Sequence, residues 1–171
     1  MTLAGPIRVS APVSAFVGLG ANLGDTARTL ASALEALAAL PETELQAASS
    51  LYRSAPVDAT GPDYLNAAAR LETALSPEEL LRCLQAIELA HGRERPFVNA
   101  SRTLDLDLLL YADLQIRSPH LCVPHPRLHQ RAFVLQPLLE LAPGLTAPGL
   151  GVLRPYLAAV SDQRVERLPG G

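Results

Sequence analysis

Residues 101–111 read SRTLDLDLLLY, and within them leucine and aspartate alternate with a period of two. That pattern is a strand pattern with one face buried, and it dictates which way each side chain points. Asp105 and Asp107 project from the same face, their α-carbons about 6.6 Å apart, while Leu104, Leu106 and Leu108 point the other way into a core. Two parallel carboxylates repel each other wherever water is scarce. A divalent cation offsets the repulsion, and oxygen donors suit Mg²⁺, which takes one or two carboxylates and completes its shell with water and phosphate oxygens. A half-exposed strand with a solvated acidic face shows the same alternation, so the pair alone leaves both readings open.

The flanking segments place this strand last in a series. SAFVGLG reads as a strand ending at Gly20, followed by a turn and a helix over TARTLASALEALAAL, with Asp25 as its N-cap and Leu30, Leu34 and Leu37 on one face. ELQAASSLYRS and YLNAAARLETAL read as two strands pairing as a hairpin. SPEELLRCLQAIELAHG carries a full set of helix signals. Ser76 caps, Pro77 takes the first position, Glu79 closes a capping box, Leu80, Leu84 and Ile87 face inward, and Gly92 terminates. The order strand, helix, strand, strand, helix, strand predicts an α+β, ferredoxin-like βαββαβ core with its helices on one face. RLHQRAFVLQPLLELAP adds a C-terminal helical segment, expected to break near Pro137. Residues 1–13 read as a flexible leader and 14–171 as a single domain.

Composition removes whole classes of function. The 171 residues, 49% hydrophobic, suffice for one core. A net charge of -3 supplies no basic field for nucleic acid. No apolar run approaches the roughly 20 residues that span a bilayer, and the N-terminus lacks a signal-peptide core. Cys83 and Cys122 suggest no disulfide framework, so a cytoplasmic protein is expected. All 14 basic residues are arginine. The absence of lysine rules out a Walker A loop, a protein-kinase strand lysine and Schiff-base chemistry.

The arginines cluster around the acidic pair in sequence. Arg93, Arg95 and Arg102 precede it, and His125, Arg127, His129 and Arg131 follow in one short segment. Guanidinium groups bind phosphate through two parallel hydrogen bonds. Any one of these arginines reads equally well as a solvated surface charge. Together with metal-binding carboxylates they form what a polyphosphate requires.

The segments VGLGANLGD, SSLYRSAPV, DYLNAAARLET, IELAHGRER, RTLDLDLLLY and VPHPRLHQRAFVLQPLLEL occur in the order and spacing of a known family. Over roughly residues 16–143 the chain resembles the 6-hydroxymethyl-7,8-dihydropterin pyrophosphokinases of folate biosynthesis. The resemblance implies a ferredoxin-like fold and transfer of pyrophosphate from ATP to the pterin hydroxymethyl, releasing AMP. It implies that Asp105 and Asp107 hold two Mg²⁺ ions on the triphosphate and that Arg93, Arg95 and Arg102 act with them in catalysis. Gln85, Glu88, His125 and Arg131 are implied as further ATP contacts, with Leu108 lining the adenine pocket through its backbone. For the pterin, Tyr64 and Phe133 are implied as the two ring faces and Asn66 as the amide partner, with backbone groups of Ser54, Ala55 and Val57 completing recognition. A planar heterocycle with polar edges suits that set.

The chain departs from the family pattern at Ala21, where serine is common. It also carries Ser54-Ala55 in place of a Thr-Pro pair, and a 93–101 loop without tryptophan. The expected partners are the two small-molecule substrates, with no nucleic acid, no membrane and a monomeric state. Two other classes fit the arginines: an RNA-binding module, and a metal-dependent phosphoryl or nucleotidyl transferase with a different acceptor. The strands lack the interleaved aromatics of an RNA-stacking face.

Overall fold

A computed structural model describes residues 11–56, 61–92 and 104–169. Seven elements build the core: β1 (Val13–Ala21), α1 (Thr26–Ala38), β2 (Thr43–Ala48), β3 (Tyr52–Ser54), β4 (Tyr64–Thr73), α2 (Pro77–Ala90) and β5 (Asp105–Tyr111). Beyond them come β6 (Ile116–Arg117), β7 (Cys122–Val123), a 3-10 turn (Leu128–Gln130), α3 (Ala132–Leu141), β8 (Thr146–Ala147), β9 (Gly151–Val152), α4 (Tyr156–Ala159) and β10 (Val165–Arg167). Most of the segment read as a leader lies outside the described residues, and β1 begins at Val13, within it.

The main sheet runs β10-β3-β4-β1-β5, with β2 also beside β4, and its pairings are antiparallel. Alternation along the strands decides what each face buries. Ala15, Val17, Leu19 and Ala21 of β1, Leu65, Ala67, Ala69 and Leu71 of β4, and Leu106 and Leu108 of β5 pack on one face. They meet Leu30, Ala33 and Leu37 of α1 and Leu80, Leu84 and Ile87 of α2. Both helices begin as the sequence reading expects. The Asp25 carboxylate accepts the Arg28 N–H at 3.2 Å. The Ser76 hydroxyl accepts the Glu79 N–H at 3.1 Å, while the Glu79 carboxylate accepts the Ser76 N–H at 2.9 Å. Gly92 has φ +77°, the left-handed conformation that stops a helix.

The opposite face receives α3. Leu128, Leu135 and Leu138 pack there on Phe16, Leu109 and Leu110. The helix runs through Pro137 without the expected break. Proline removes the N–H that would bond the carbonyl four residues back, here that of Phe133. The start of α3 has no side-chain cap of its own. Gln163 supplies one from the tail, accepting the Ala132 N–H at 2.9 Å and donating to the Gln130 carbonyl at 3.0 Å. The tail itself then returns as β10 to extend the sheet beside β3.

The strand expected over 44–54 is interrupted between β2 and β3. At the interruption the Ser49 N–H and hydroxyl exchange bonds with Ala68, at 2.9 Å each. The Ser50 N–H turns away from the ladder to both oxygens of Glu140, at 3.1 and 3.0 Å. The same carboxylate accepts the Ser50 hydroxyl at 3.1 Å and the Tyr52 hydroxyl at 2.6 Å, with Arg167 at 3.5 Å. Partial burial pushes the Glu140 carboxyl up, but the Tyr52 hydroxyl, the two Ser50 donors and Arg167 outweigh it and hold the group below its ordinary value. Burial, followed by the hydrogen bond to Glu140, raises the Tyr52 phenol in turn.

A carboxyl whose folded pKa is depressed contributes stability that is complete above its unfolded pKa and drains as pH falls through the folded one. The urea midpoint is therefore expected to fall on acidification below the ordinary glutamate range. Glu140→Gln is expected to flatten that limb of the curve; a limb of unchanged slope in the variant contradicts the assignment.

Candidate active site

On the face of the central strands away from α1 and α2, β1 offers two glycines. A β-carbon on Gly20 would stand 3.5 Å from Asn66 Oδ1 and 3.9 Å from a Tyr64 ring carbon, and one on Gly18 would stand 3.4 Å from the Leu109 side chain. Glycine inside a strand marks a place where something approaches the backbone closely. Pairing then assembles a row across the sheet: Asp105 of β5 opposes Gly20, Gly20 opposes Asn66 of β4, and Asn66 opposes Tyr52 of β3. The neighbouring row is Asp107, Gly18 and Ala68. Both carboxylates are half-buried while Leu106 and Leu108 are buried behind them, as the alternation predicts.

Asn66 is 3% exposed. Its Nδ2 donates to Ser54 Oγ at 2.8 Å and to the Tyr52 carbonyl at 3.3 Å. A carbonyl can only accept, so this fixes which end of the amide is nitrogen and turns Oδ1 toward Gly20. Tyr64, at the start of β4, is half-buried beside the same glycine.

His125 is held by its backbone N–H, which donates to the Leu109 carbonyl of β5 at 3.0 Å. Its Nδ1 accepts the Arg127 N–H at 3.1 Å. In the neutral ring the proton therefore sits on Nε2, which points a donor outward without adding charge. Burial lowers the His125 pKa, Arg131 and Arg127 lower it further, and Asp105 pulls the other way. His125 thus feels both the two arginines and the Asp105 carboxylate. The Arg131 guanidinium in turn lies over the Phe133 ring, 5.6 Å from its centroid, so the residues assigned to the two substrates meet at the start of α3.

The remaining expected contacts divide. Glu88 is 4% exposed, and its carboxylate accepts the Leu106 N–H at 2.7 Å, bracing α2 against the outer edge of β5. Gln85, one turn earlier, is exposed. The Leu108 side chain belongs to the core, which leaves its backbone for any ligand contact. Ser54 is buried and Ala55 exposed at the end of β3. Val57, Arg93, Arg95 and Arg102 lie outside the described residues. A cavity of about 660 Å³ opens between the β6–β7 hairpin and the 148–150 turn, lined by Cys122, Pro124, His129 and Leu150 among others. It borders the site only at His125.

Two parallel oxygen donors on a rigid strand, facing glycines, fit a hard divalent cation. Among the described residues no group of three or more His, Cys, Asp and Glu could hold a metal. The pair therefore suits an ion that completes its shell with substrate oxygens, as Mg²⁺ does, rather than an all-protein cage.

Sequence reasoning passed over Gly18, Gly20, Glu140 and Asn22. The glycines were visible as G-x-G inside a strand. Asn22 is 4% exposed; its Nδ2 reaches the Pro62 carbonyl at 3.4 Å, and its buried Oδ1 has no hydrogen-bond partner among the described residues. Nothing in the sequence near Glu140 marks its role, because Ser50 lies 90 residues away and Arg167 27.

The electrostatics at His125 can be read directly. Its imidazole resonances are expected to titrate below the ordinary 6.5, and Arg131→Ala is expected to raise that midpoint. An unchanged midpoint in the variant would separate the two side chains.

The family model for 7,8-dihydro-6-hydroxymethylpterin-pyrophosphokinase (HPPK) matches residues 16–143. A 2-amino-4-hydroxy-6-hydroxymethyldihydropteridine pyrophosphokinase of Pseudomonas aeruginosa is 46% identical over 156 residues, 91% of this chain and 96% of that protein. The enzyme of the same name from Haemophilus influenzae is 40% identical over 157 residues, covering 91% and 98%. Among solved structures, the wild-type HPPK-DHPS of Plasmodium falciparum with pteroate superposes with a TM-score of 0.71 at 13% identity, over 94% of this chain. The chain spans 45% of that longer protein, and the likeness there is one of fold. With three quarters of its length under the family model and nearly whole relatives aligned at 40% and 46% identity, the chain belongs to the 7,8-dihydro-6-hydroxymethylpterin-pyrophosphokinase family.

Proposed function

We propose that the chain transfers pyrophosphate from ATP to 6-hydroxymethyl-7,8-dihydropterin, giving the pterin diphosphate and AMP in folate biosynthesis, with Asp105 and Asp107 holding Mg²⁺. Family membership supports the reaction. The observation that carries the site is the row Asp105–Gly20–Asn66, which sets a carboxylate and a buried amide on either side of a glycine floor. The strand order β5-β1-β4, with β2 and β3 both beside β4 on its far side, supports reading the core as ferredoxin-like. The return of β10 to the sheet supports a single domain through the tail. Cytoplasmic location and a monomeric state remain part of this reading, together with the absence of any helix among the described residues able to cross a membrane.

In the reaction the pterin hydroxymethyl oxygen forms a bond to the β-phosphorus of ATP. The bond from that phosphorus to the oxygen bridging to the α-phosphorus breaks, AMP leaves with its electron pair, and the hydroxyl proton passes to solvent. Bound Mg²⁺ supplies charge neutralisation and orientation of the triphosphate. The side chains of this chain do the positioning. Tyr64 and Phe133 would hold the ring, Asn66 Oδ1 would accept from its N–H edge, and Ser54, Ala55 and Val57 would frame it. His125 Nε2 would donate to a phosphate oxygen while Arg131 draws the same group by charge. Gln85, Glu88 and Leu108 would meet the nucleotide at the β5 edge, and Arg93, Arg95 and Arg102 the phosphates. Fixed donors aimed at developing charge need no reorganisation during the reaction.

Incubation with ATP, Mg²⁺ and the hydroxymethyl dihydropterin is expected to release AMP. Release of ADP would indicate transfer of a single phosphoryl group and defeat the assignment. Asp107→Ala is expected to lower turnover by about a hundredfold or more while the far-ultraviolet circular dichroism stays as in the parent. Wild-type turnover in that variant removes the metal role.

A further inference from the structure

Glu140 lies on α3 seven residues beyond Phe133. Seven residues are two helical turns, so the two side chains share a face about 10.5 Å apart along the axis. At one end of that face stands the ring assigned to the heterocycle. At the other, one carboxylate gathers the Ser50 N–H, the Ser50 hydroxyl, the Tyr52 hydroxyl and Arg167. Tyr52 continues the connection, since its carbonyl accepts from Asn66 Nδ2 at 3.3 Å and it pairs with Asn66 in the ladder. A single group thus ties the helix bearing Phe133 to the strands bearing Ser54, Tyr64 and Asn66.

We propose that Glu140 is a positioning residue for the heterocyclic substrate: it sets α3 against β3 and β4, and thereby the spacing of Phe133 from Tyr64 and the aim of the Asn66 amide. Glu140 itself touches neither reacting group. The proposal rests on the pterin reading of the site.

Steady-state kinetics with each substrate varied separately tests it. Glu140→Ala is expected to raise KM for the hydroxymethyl dihydropterin about tenfold with KM for ATP within about twofold of the parent. Tyr52→Phe is expected to shift the pterin KM in the same direction by less. Glu140→Gln, which keeps the size but loses the charge and an acceptor, is expected to raise the pterin KM by an intermediate amount with KM for ATP unchanged. A folded Glu140→Ala variant with an unchanged pterin KM, or parallel rises in both KM values, overturns the proposal. Should Glu140→Ala fail to fold, Glu140→Gln and Tyr52→Phe decide it by the same split. The Asn66 side-chain amide resonances give a second readout that needs no turnover. They move in Glu140→Gln if the carboxylate aims that amide, and staying in place counts against it. Failure of the parent protein to form AMP would sink the assigned reaction, and those resonances would still report on Glu140.

Discussion

The register of β1 between β4 and β5 is the constraint on which both core and site depend. Side chains in a strand alternate, so a slip of one residue would send every inward side chain outward. In the register adopted, Ala15, Val17, Leu19 and Ala21 join the leucines of α1 and α2, and Gly18 and Gly20 face the acidic pair. The apolar set fixes the register strongly because its burial is lost wholesale by a slip. The glycine set, which contributes little stability, is carried into place by it. An irregularity between Phe16 and Val17 lets one extra residue, Leu109, enter β5. That is how the run Leu108–Tyr111 is buried on both faces: Leu108 and Tyr111 pack toward α1 and α2, Leu109 and Leu110 toward α3.

That same irregularity connects the sheet to the basic segment. Leu109 presents its carbonyl to the His125 N–H, so the loop bearing His125 and Arg131 is hung from the strand bearing Asp105 and Asp107. Burial, and then the two nearby arginines, shift the imidazole toward its neutral form, and the Arg127 N–H on Nδ1 chooses the tautomer of that form. A neutral Nε2–H donor beside cationic Arg131 divides the work on an anionic ligand. One group donates a single hydrogen bond without charge, and the other attracts through a charged, forked set of donors.

Legibility in the sequence followed the range of the interactions. The Asp/Leu alternation, the Asp25 cap and the Ser76–Glu79 box depend on neighbours within four residues, and each appears in the structure as read. The interruption of the strand at residues 49–51 depends on Glu140, and no local signal announces it. The helix through Pro137 persists because Leu135, Leu138 and Leu139 are buried around it, and tertiary burial overrides a local breaker. β10 is three residues long, too short for any periodicity to be visible. Of the candidate site, the acids came from the motif and Asn66 from the resemblance, and the register sets Asp105, Gly20 and Asn66 in one row. Glu88 shows the limit, since it was read as a ligand contact and its carboxylate also holds the Leu106 N–H.

Why a carboxylate should sit at the strand interruption follows from counting donors. Where β2 leaves the ladder, the Ser50 N–H, the Ser50 hydroxyl and the Tyr52 hydroxyl all need acceptors in a partly buried place. Each one left unmatched there costs about 1–3 kcal/mol. A single carboxylate has acceptor sites for all three and leaves room for Arg167. An amide would match fewer donors and bring two of its own, and an apolar residue would match none. The interruption is therefore matched best by an ionised group opposite it, and here that group comes from an element outside the sheet. Placing it on α3 couples the geometry of the interruption to the helix that begins at Ala132, so the end of α3 that carries Phe133 is tied through Tyr52 to the strand bearing Asn66.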